Sequence, residues 1–256
     1  MLICVDIGNT NITIGLYKNK DLNAKWRLAT VHARMPDEYG IQMMNLIEYS
    51  NLHPKNIHGA IIASVVPPLT AKWVDVLEKY LHVTPLVVGT GIRTGVNNLY
   101  HQPSAVGADR IVNAAAAYRL HGGPACIVDF GTATTFDAIS EKGDYLGGAI
   151  SPGIGIAAEA LFSRTAKLPR VDLTRPPAAI GRTTAHSMQS GILFGYVGLV
   201  EGMVSRFKQE LGEQTIVIAT GGLSEIIANE TTTIDIIAPW LTLDGLRMIY
   251  ELNTKG

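Results

Sequence analysis

The sequence predicts an α/β fold built twice, one half after the other, and two observations carry that prediction. The first is a repeat: Ile3-Cys-Val-Asp-Ile-Gly-Asn-Thr-Asn11 returns near the middle of the chain as Cys126-Ile-Val-Asp-Phe-Gly-Thr-Ala-Thr-Thr135. Asp6 and Gly8 align with Asp129 and Gly131 at one offset, close to half the chain, and the same offset pairs Asp21 with Asp144. The second is the order of patterns: each half reads as a strand meander, then helix, strand and helix, with no flexible linker between the halves. Two fused α/β domains, 1–115 and 116–256, sharing a cleft are the simplest arrangement of this kind.

The elements follow in order. Ile3–Ile7, Ile12–Tyr17 and Ala24–Leu28 form the first meander, the last two joined by the polar turn Lys18–Asp21. Pro36 with Asp37 and Glu38 opens a helix to about Tyr49, since proline fits a first turn and acids suit the positive end of the dipole. Gly59–Val66 is a buried strand stopped by Pro67-Pro68. Trp73, Val76, Leu77, Tyr80 and Leu81 then mark the apolar stripe of an amphipathic helix. Pro85–Val88 is the next strand, and Pro103–Leu120 reads as one helix ended by Gly122-Gly123. The second meander starts at Ala125 and runs through Thr135–Ile139 and Leu146–Ile150 to a loop at Ser151-Pro-Gly153. A long helix over Thr184–Leu211, a strand Ile216–Ala219, a turn at Gly221-Gly222 into a short helix, and a closing helix Leu243–Leu252 complete the chain.

Composition narrows the function. A hydrophobic fraction of 47% and a charged fraction of 17% are those of an ordinary globular protein. With 21 basic against 22 acidic residues there is no footprint of a nucleic-acid or anionic-membrane binder. The N-terminus meets a carboxylate at Asp6 and carries no signal-peptide pattern, and no apolar run reaches spanning length. Cys4 and Cys126 fall inside buried strands and read as reduced thiols of a cytoplasmic protein. The seven histidines show no ligand spacing for zinc.

Each repeated segment is a short apolar strand that ends in an acid, then glycine, then hydroxyl or amide side chains. Such a turn offers backbone N–H groups and hydroxyls to a phosphate, and the acid beside it can hold a metal ion that offsets phosphate charge. One Asp-x-Gly caps many strands for structural reasons alone; two at a repeat offset point to a phosphotransferase. The Walker spacing is missing, and Gly89-Thr-Gly91-Ile-Arg-Thr-Gly95 breaks the dinucleotide fingerprint, so the site belongs to another nucleotide fold. Gly107-Ala-Asp-Arg110, preceded by Tyr100-His-Gln102, lies early in the helix that joins the halves. A carboxylate beside the small apolar face Ile111–Ala117 is either partnered or catalytic. Gly191, Gly195, Gly198 and Gly202 share one face of the long helix, which implies a close backbone approach, either within the chain or at a two-fold dimer axis.

Taken together, Asp6-x-Gly-Asn-Thr10 with Gly15, Gly107–Arg110, Asp129-Phe-Gly-Thr-Ala-Thr-Thr135 and Gly147-Gly-Ala-Ile-Ser-Pro-Gly153 resemble type III pantothenate kinase. Ser64-Val-Val-Pro67, Gly221-Gly222 and Leu241-Thr-Leu-Asp-Gly245 extend the resemblance over essentially the whole chain. That family belongs to the superfamily of acetate and sugar kinases, heat-shock chaperones and actin, so the resemblance implies two duplicated ribonuclease-H-like (actin-like) domains. It implies ATP-dependent phosphorylation of pantothenate to 4′-phosphopantothenate, the first step toward coenzyme A, by a cytoplasmic homodimer. Asp6, Ile7, Gly8, Asn9, Thr10, Asn11, Ile12 and Thr13 would form the first phosphate loop, with Asp6 near Mg²⁺, and Thr132 would contact ATP from the second. Asp129 would hold a monovalent cation, K⁺ or NH₄⁺. Tyr100, Gly107, Ala108, Asp109, Arg110 and Thr184 would line the pantothenate site, with Asp109 the general base. Thr183 stands where the family commonly carries Asn.

The physical reading agrees on the need for cations. The segments Asp6–Thr13 and Asp129–Thr135 contain no Lys or Arg, so bound ions must offset much of the ATP charge. Two alternatives are a catalytically silent relative that regulates transcription and another small-molecule kinase of the superfamily. Intact loops with Asp109 argue against the first; short length and Gly107–Arg110 argue against the second.

Overall fold

The computed structural model describes residues 1–254 and divides them into two compact units, Met1–Arg119 with the helix Leu241–Thr254, and Leu120–Trp240. In the first unit, β1 (Leu2–Ile7), β2 (Asn11–Lys18) and β3 (Asp21–Ala29) form an antiparallel meander, followed by α1 (Pro36–Tyr49), β4 (Gly59–Ser64), α2 (Pro67–Leu81) and β5 (Leu86–Val87). Strand β4 pairs in parallel with β1, giving the order β3-β2-β1-β4-β5. Because β1 lies between β2 and β4 and is covered on both faces, Ile3, Cys4 and Val5 are wholly buried, which is why it reads as a continuous apolar run. Edge strand β3 alternates exposed and half-buried residues instead. Ile3, Val5 and Ile7 pack against Tyr39, Met43 and Ile47 of α1 and Trp73, Val76 and Leu77 of α2.

The second unit repeats this plan. β6 (Ala125–Phe130), β7 (Ala133–Ile139) and β8 (Tyr145–Pro152) form the meander, and β9 (Ile216–Thr220) and β10 (Ile236–Ile237) add in parallel, in the order β10-β9-β6-β7-β8. Read from the other edge, this is the order of the first sheet, so the duplication seen in the motifs extends to topology. Asp6 faces Thr13 across the first hairpin, and Asp129 faces Thr135 across the second.

The helices differ more from expectation. Residues Pro103–Leu120 do not form one helix: a 3₁₀ turn at Pro103–Ala105 ends at Val106, and α3 runs Ala108–His121. The break falls at Gly107, where a Cβ would stand 2.5 Å from Asp109 Oδ1 and 3.3 Å from Val65 Cγ1. Strand β8 continues through Ser151 and Pro152, which sequence assigns to a loop, and α4 (Ile154–Ser163) follows where no helix was expected. Then come α5 (Thr184–Leu211) and α6 (Ser224–Ala228), both as expected, and α7 (Leu241–Thr254). The sequence reading groups α7 with residues 116–256; its apolar face packs on β1 and β4 of the first unit.

Candidate active site

The first phosphate loop is the turn that joins β1 to β2. Gly8 N donates to Asn11 O at 3.0 Å, and Thr30 clamps the turn from outside, its hydroxyl on Gly8 O at 2.7 Å and its N–H on Thr10 O at 2.9 Å. Asn9, Thr10 and Asn11 are exposed, while Ile7 and Ile12 anchor the turn in the core and Asp6 and Thr13 are half-buried. The turn is therefore fixed at its base and open at its tip.

Asp109 lies close to the same strand ends. Val65 N donates to Ile7 O at 3.0 Å, and Val65 is the residue against which Gly107 packs, so the start of α3 sits beside the end of β1. Ser64 completes this corner, its Oγ accepting from Val66 N at 3.1 Å and from the Thr70 hydroxyl at 2.8 Å. Asp109 Oδ1 accepts from Arg110 N at 2.8 Å. Burial pushes the Asp109 carboxyl above the usual carboxylate range, and the Arg110 backbone hydrogen bond and guanidinium oppose that rise only in part. Arg110 is buried, Ala108 and Gly107 are half-buried, and Tyr100 is exposed in the loop that leads to this helix. The structure thus gathers Asp6–Thr13 and Gly107–Arg110 at one end of the first sheet.

In the second unit three glycine contacts converge on the turn after β6. Gly131 N donates to Ala133 O, and Gly153 N to Thr132 O, both at 3.1 Å. A Cβ at Gly153 would stand 2.7 Å from Gly131 O and 2.9 Å from Thr132 C, so only glycine fits beneath this loop. Gly221, at φ +90°, packs from the side: a Cβ there would lie 2.6 Å from Asp129 Oδ1 and 2.7 Å from Phe130 O. A carboxylate oxygen and a backbone carbonyl thus flank one small cradle. Thr132 is exposed at the tip. Sequence motifs pointed to Gly153 and Gly221 but not to their task, because close backbone approach leaves no pattern in spacing.

Thr183 caps α5, its Oγ1 accepting from His186 N at 3.2 Å, a task that Asn performs equally well. Thr184 begins the helix and is exposed. The structure describes it within the second unit and Tyr100 and Gly107–Arg110 within the first. Asp137 is buried and belongs to no sequence motif; it accepts from the Tyr145 hydroxyl at 2.8 Å and the Thr135 hydroxyl at 3.1 Å, which fixes the base of the second hairpin.

The family model for type III pantothenate kinase matches residues 2–206. The chain belongs to the type III pantothenate kinase family. A type III pantothenate kinase of Moorella thermoacetica is 53% identical over 254 residues, 99% of this chain and 100% of the relative, and one of Roseiflexus castenholzii is 51% identical over 255 residues, 100% of both. Solved structures share the fold at low identity. A 2-dehydro-3-deoxygalactonokinase protein from Sinorhizobium meliloti aligns at TM-score 0.60 and 12% identity, over 98% of this chain and 96% of that one. A protein assigned to the Baf family of transcriptional activators from Campylobacter jejuni aligns at TM-score 0.64 and 19% identity, over 99% and 100%. The expected duplication of one α/β plan is therefore what this chain adopts. Among the described residues, no helix is long and apolar enough to cross a membrane.

Proposed function

We propose that this chain transfers the γ-phosphoryl group of ATP to pantothenate, giving 4′-phosphopantothenate, with Asp109 as general base. The observation that carries the reading of the site is the half-buried Asp109 carboxylate at the start of α3, beside the end of β1 and its phosphate loop. Phosphoryl transfer asks a protein chiefly to hold the reactants in line and to stabilise charge on the phosphoryl oxygens. Asp6–Thr13 and Thr132 bind ATP, their N–H groups and hydroxyls directed to phosphate oxygens. Tyr100, Gly107, Ala108, Arg110 and Thr184 hold pantothenate, and Asp109 takes the proton of its primary hydroxyl as the new P–O bond forms. A carboxylate raised by burial is the stronger base for that step.

Two ions complete the reading. One carboxylate is the usual protein share of a Mg²⁺ site that rests mostly on phosphate and water, and Asp6 at the first loop supplies it. The cradle at Gly221, with Asp129 Oδ1 and Phe130 O beside it, offers oxygen donors of the kind that suit K⁺ or NH₄⁺. Bound there, these ions offset ATP charge that the lysine-free and arginine-free loops leave uncompensated.

We also propose a homodimer in the cytoplasm. Gly191, Gly195 and Gly198 face open space, with nothing within 4 Å of a Cβ at any of them, so packing inside the chain does not account for the stripe. An apolar groove beside it is lined by Ala157, Leu161, Ile192 and Leu199, which a second copy of α5 would cover. Buried free Cys4 and Cys126 suit a reducing compartment.

The test is ADP release by the purified protein with pantothenate, with hexoses and with no acceptor. Pantothenate alone should stimulate release. Stimulation by a sugar instead, or none by any acceptor, favours the kinase or silent-relative alternatives respectively.

A further inference from the structure

Leu241-Thr-Leu-Asp-Gly245 opens α7, and the chemistry assigned above uses none of it. All five residues are nonetheless committed. Leu241 and Leu243 are core residues, and the Asp244 carboxylate accepts from the Tyr17 hydroxyl at 2.9 Å. The Thr242 hydroxyl donates to Asn113 Oδ1 at 2.8 Å. At Gly245 a Cβ would stand 2.7 Å from Val112 Cγ1, 3.1 Å from the Val112 carbonyl carbon and closer still to its oxygen. Two of the five contacts therefore end on consecutive residues of α3, and Asn113 lies one turn after Asp109 on the same helical face.

The anchor behind these contacts is firm. Helix α7 packs on β1 and β4, and its buried Arg247 pairs with Glu251 at 3.0 Å and covers the Tyr17 ring at 5.5 Å. Further along, Arg119 Nη1 donates to Met248 O at 3.4 Å. Beyond Arg110, Val112 and Asn113, the residues that α3 buries are the small Ala114, Ala115, Ala116 and Ala117, so past Asn113 the helix adds no bulky buried side chain of its own.

We propose that α7 is the template that places Asp109, with Gly245 and Thr242 acting as positioning residues through Val112 and Asn113. This rests on Asp109 being the base. Displacement at Val112 reaches Asp109 through less than one turn of rigid helix. Relieving the overlap of a Cβ at position 245 requires α7 and α3 to part by about 1 Å. A misplacement of that size in a positioned catalytic group lowers turnover by roughly 10²-fold.

The experiment compares Gly245→Ala, Thr242→Val, Thr242→Ser and Asp109→Asn in the full chain, with steady-state kinetics and thermal melting. Gly245→Ala should lower kcat by about 10–10²-fold while KM for ATP stays within about twofold. Thr242→Val should lose about three- to tenfold, the worth of one neutral hydrogen bond, and Thr242→Ser should restore it. In the Asp109→Asn background, Gly245→Ala should cost nothing further in kcat, because both changes remove one function. Full kcat in Gly245→Ala, or losses that add to Asp109→Asn, overturn the inference while leaving the base assignment intact. Should Gly245→Ala not fold, an unchanged kcat in Thr242→Val overturns it alone. Normal turnover in Asp109→Asn removes the base assignment itself and this inference with it.

Discussion

Gly153→Ala isolates the second phosphate loop from the rest of the molecule. Gly153 sits at φ −66° and ψ 153°, a conformation that alanine adopts without strain, so the whole effect of the substitution is steric. The new Cβ would stand 2.7 Å from Gly131 O and 2.9 Å from Thr132 C, against an ordinary separation of about 3.5 Å. Thr132 O would lie closer still, so the loop must retreat by about 1 Å or slightly more. Overpacking of this kind costs about 1–3 kcal/mol, which a domain with about 5–15 kcal/mol of stability survives. Activity suffers more, because a loop displaced by about 1 Å lowers the rate by roughly 10²-fold. The assay is ADP release across ATP concentrations, with nucleotide affinity from calorimetry, and the expected result is a fall of about 10–10²-fold in kcat/KM for ATP. Gly155→Ala is the comparison: it adds a Cβ into open space two residues further along, and it should leave activity intact with unchanged or higher stability. Gly153→Ala that binds and turns over ATP normally refutes the assignment of Thr132 to the phosphates.

Asp109→Asn should lower kcat by about 10²–10⁴-fold without loss of nucleotide binding. Burial raises the Asp109 carboxyl in the folded state, so its contribution to stability is full below the ordinary value near 3.8 and drains away as pH rises through the folded value. The Asn variant should accordingly melt at or above the wild type at neutral pH, with the difference closing near pH 3; a variant less stable at pH 7 contradicts this sign. Activity at fixed ionic strength should depend on K⁺ or NH₄⁺, and Asp129→Ala should abolish the response, whereas full activity in sodium-only buffer with Mg²⁺ present removes the cation site. If the proposed dimer forms through α5, Gly195→Leu should yield monomer or unfolded protein by sedimentation, and an unchanged stable dimer would show that α5 does not form the interface.

The duplication was legible because it is written in both residues and order: strand, acid, glycine and hydroxyls twice, each at the end of a central strand with Thr opposite the acid. What stayed hidden depends on contacts between distant segments. Proline at 103 and small residues through Ala117 suggest an unbroken helix, yet Val106 is extended and ends the first turn early, while Val65 and the Asp109 carboxylate leave room only for glycine at position 107. Helix α4 went unseen because Ser151-Pro-Gly153 looks like a loop, while its Gly is in fact a support under Thr132. Helix α7 has ordinary amphipathic spacing, which says that it packs but not on which sheet; the Tyr17–Asp244 hydrogen bond and the Val112–Gly245 approach decide that. Thr183 differs from the family's usual Asn without losing the cap that position provides.

The most direct measurement is the structure of the product formed from ATP and pantothenate, read by phosphorus NMR with proton coupling. Pantothenate offers a primary and a secondary hydroxyl, and attack by the primary one places phosphorus next to a methylene group. The predicted result is a phosphomonoester signal split into a triplet, formed only when ATP, pantothenate and protein are all present and growing about 10²–10⁴-fold more slowly with Asp109→Asn. A doublet from the secondary position, or ADP and inorganic phosphate as the only new species, would contradict the account.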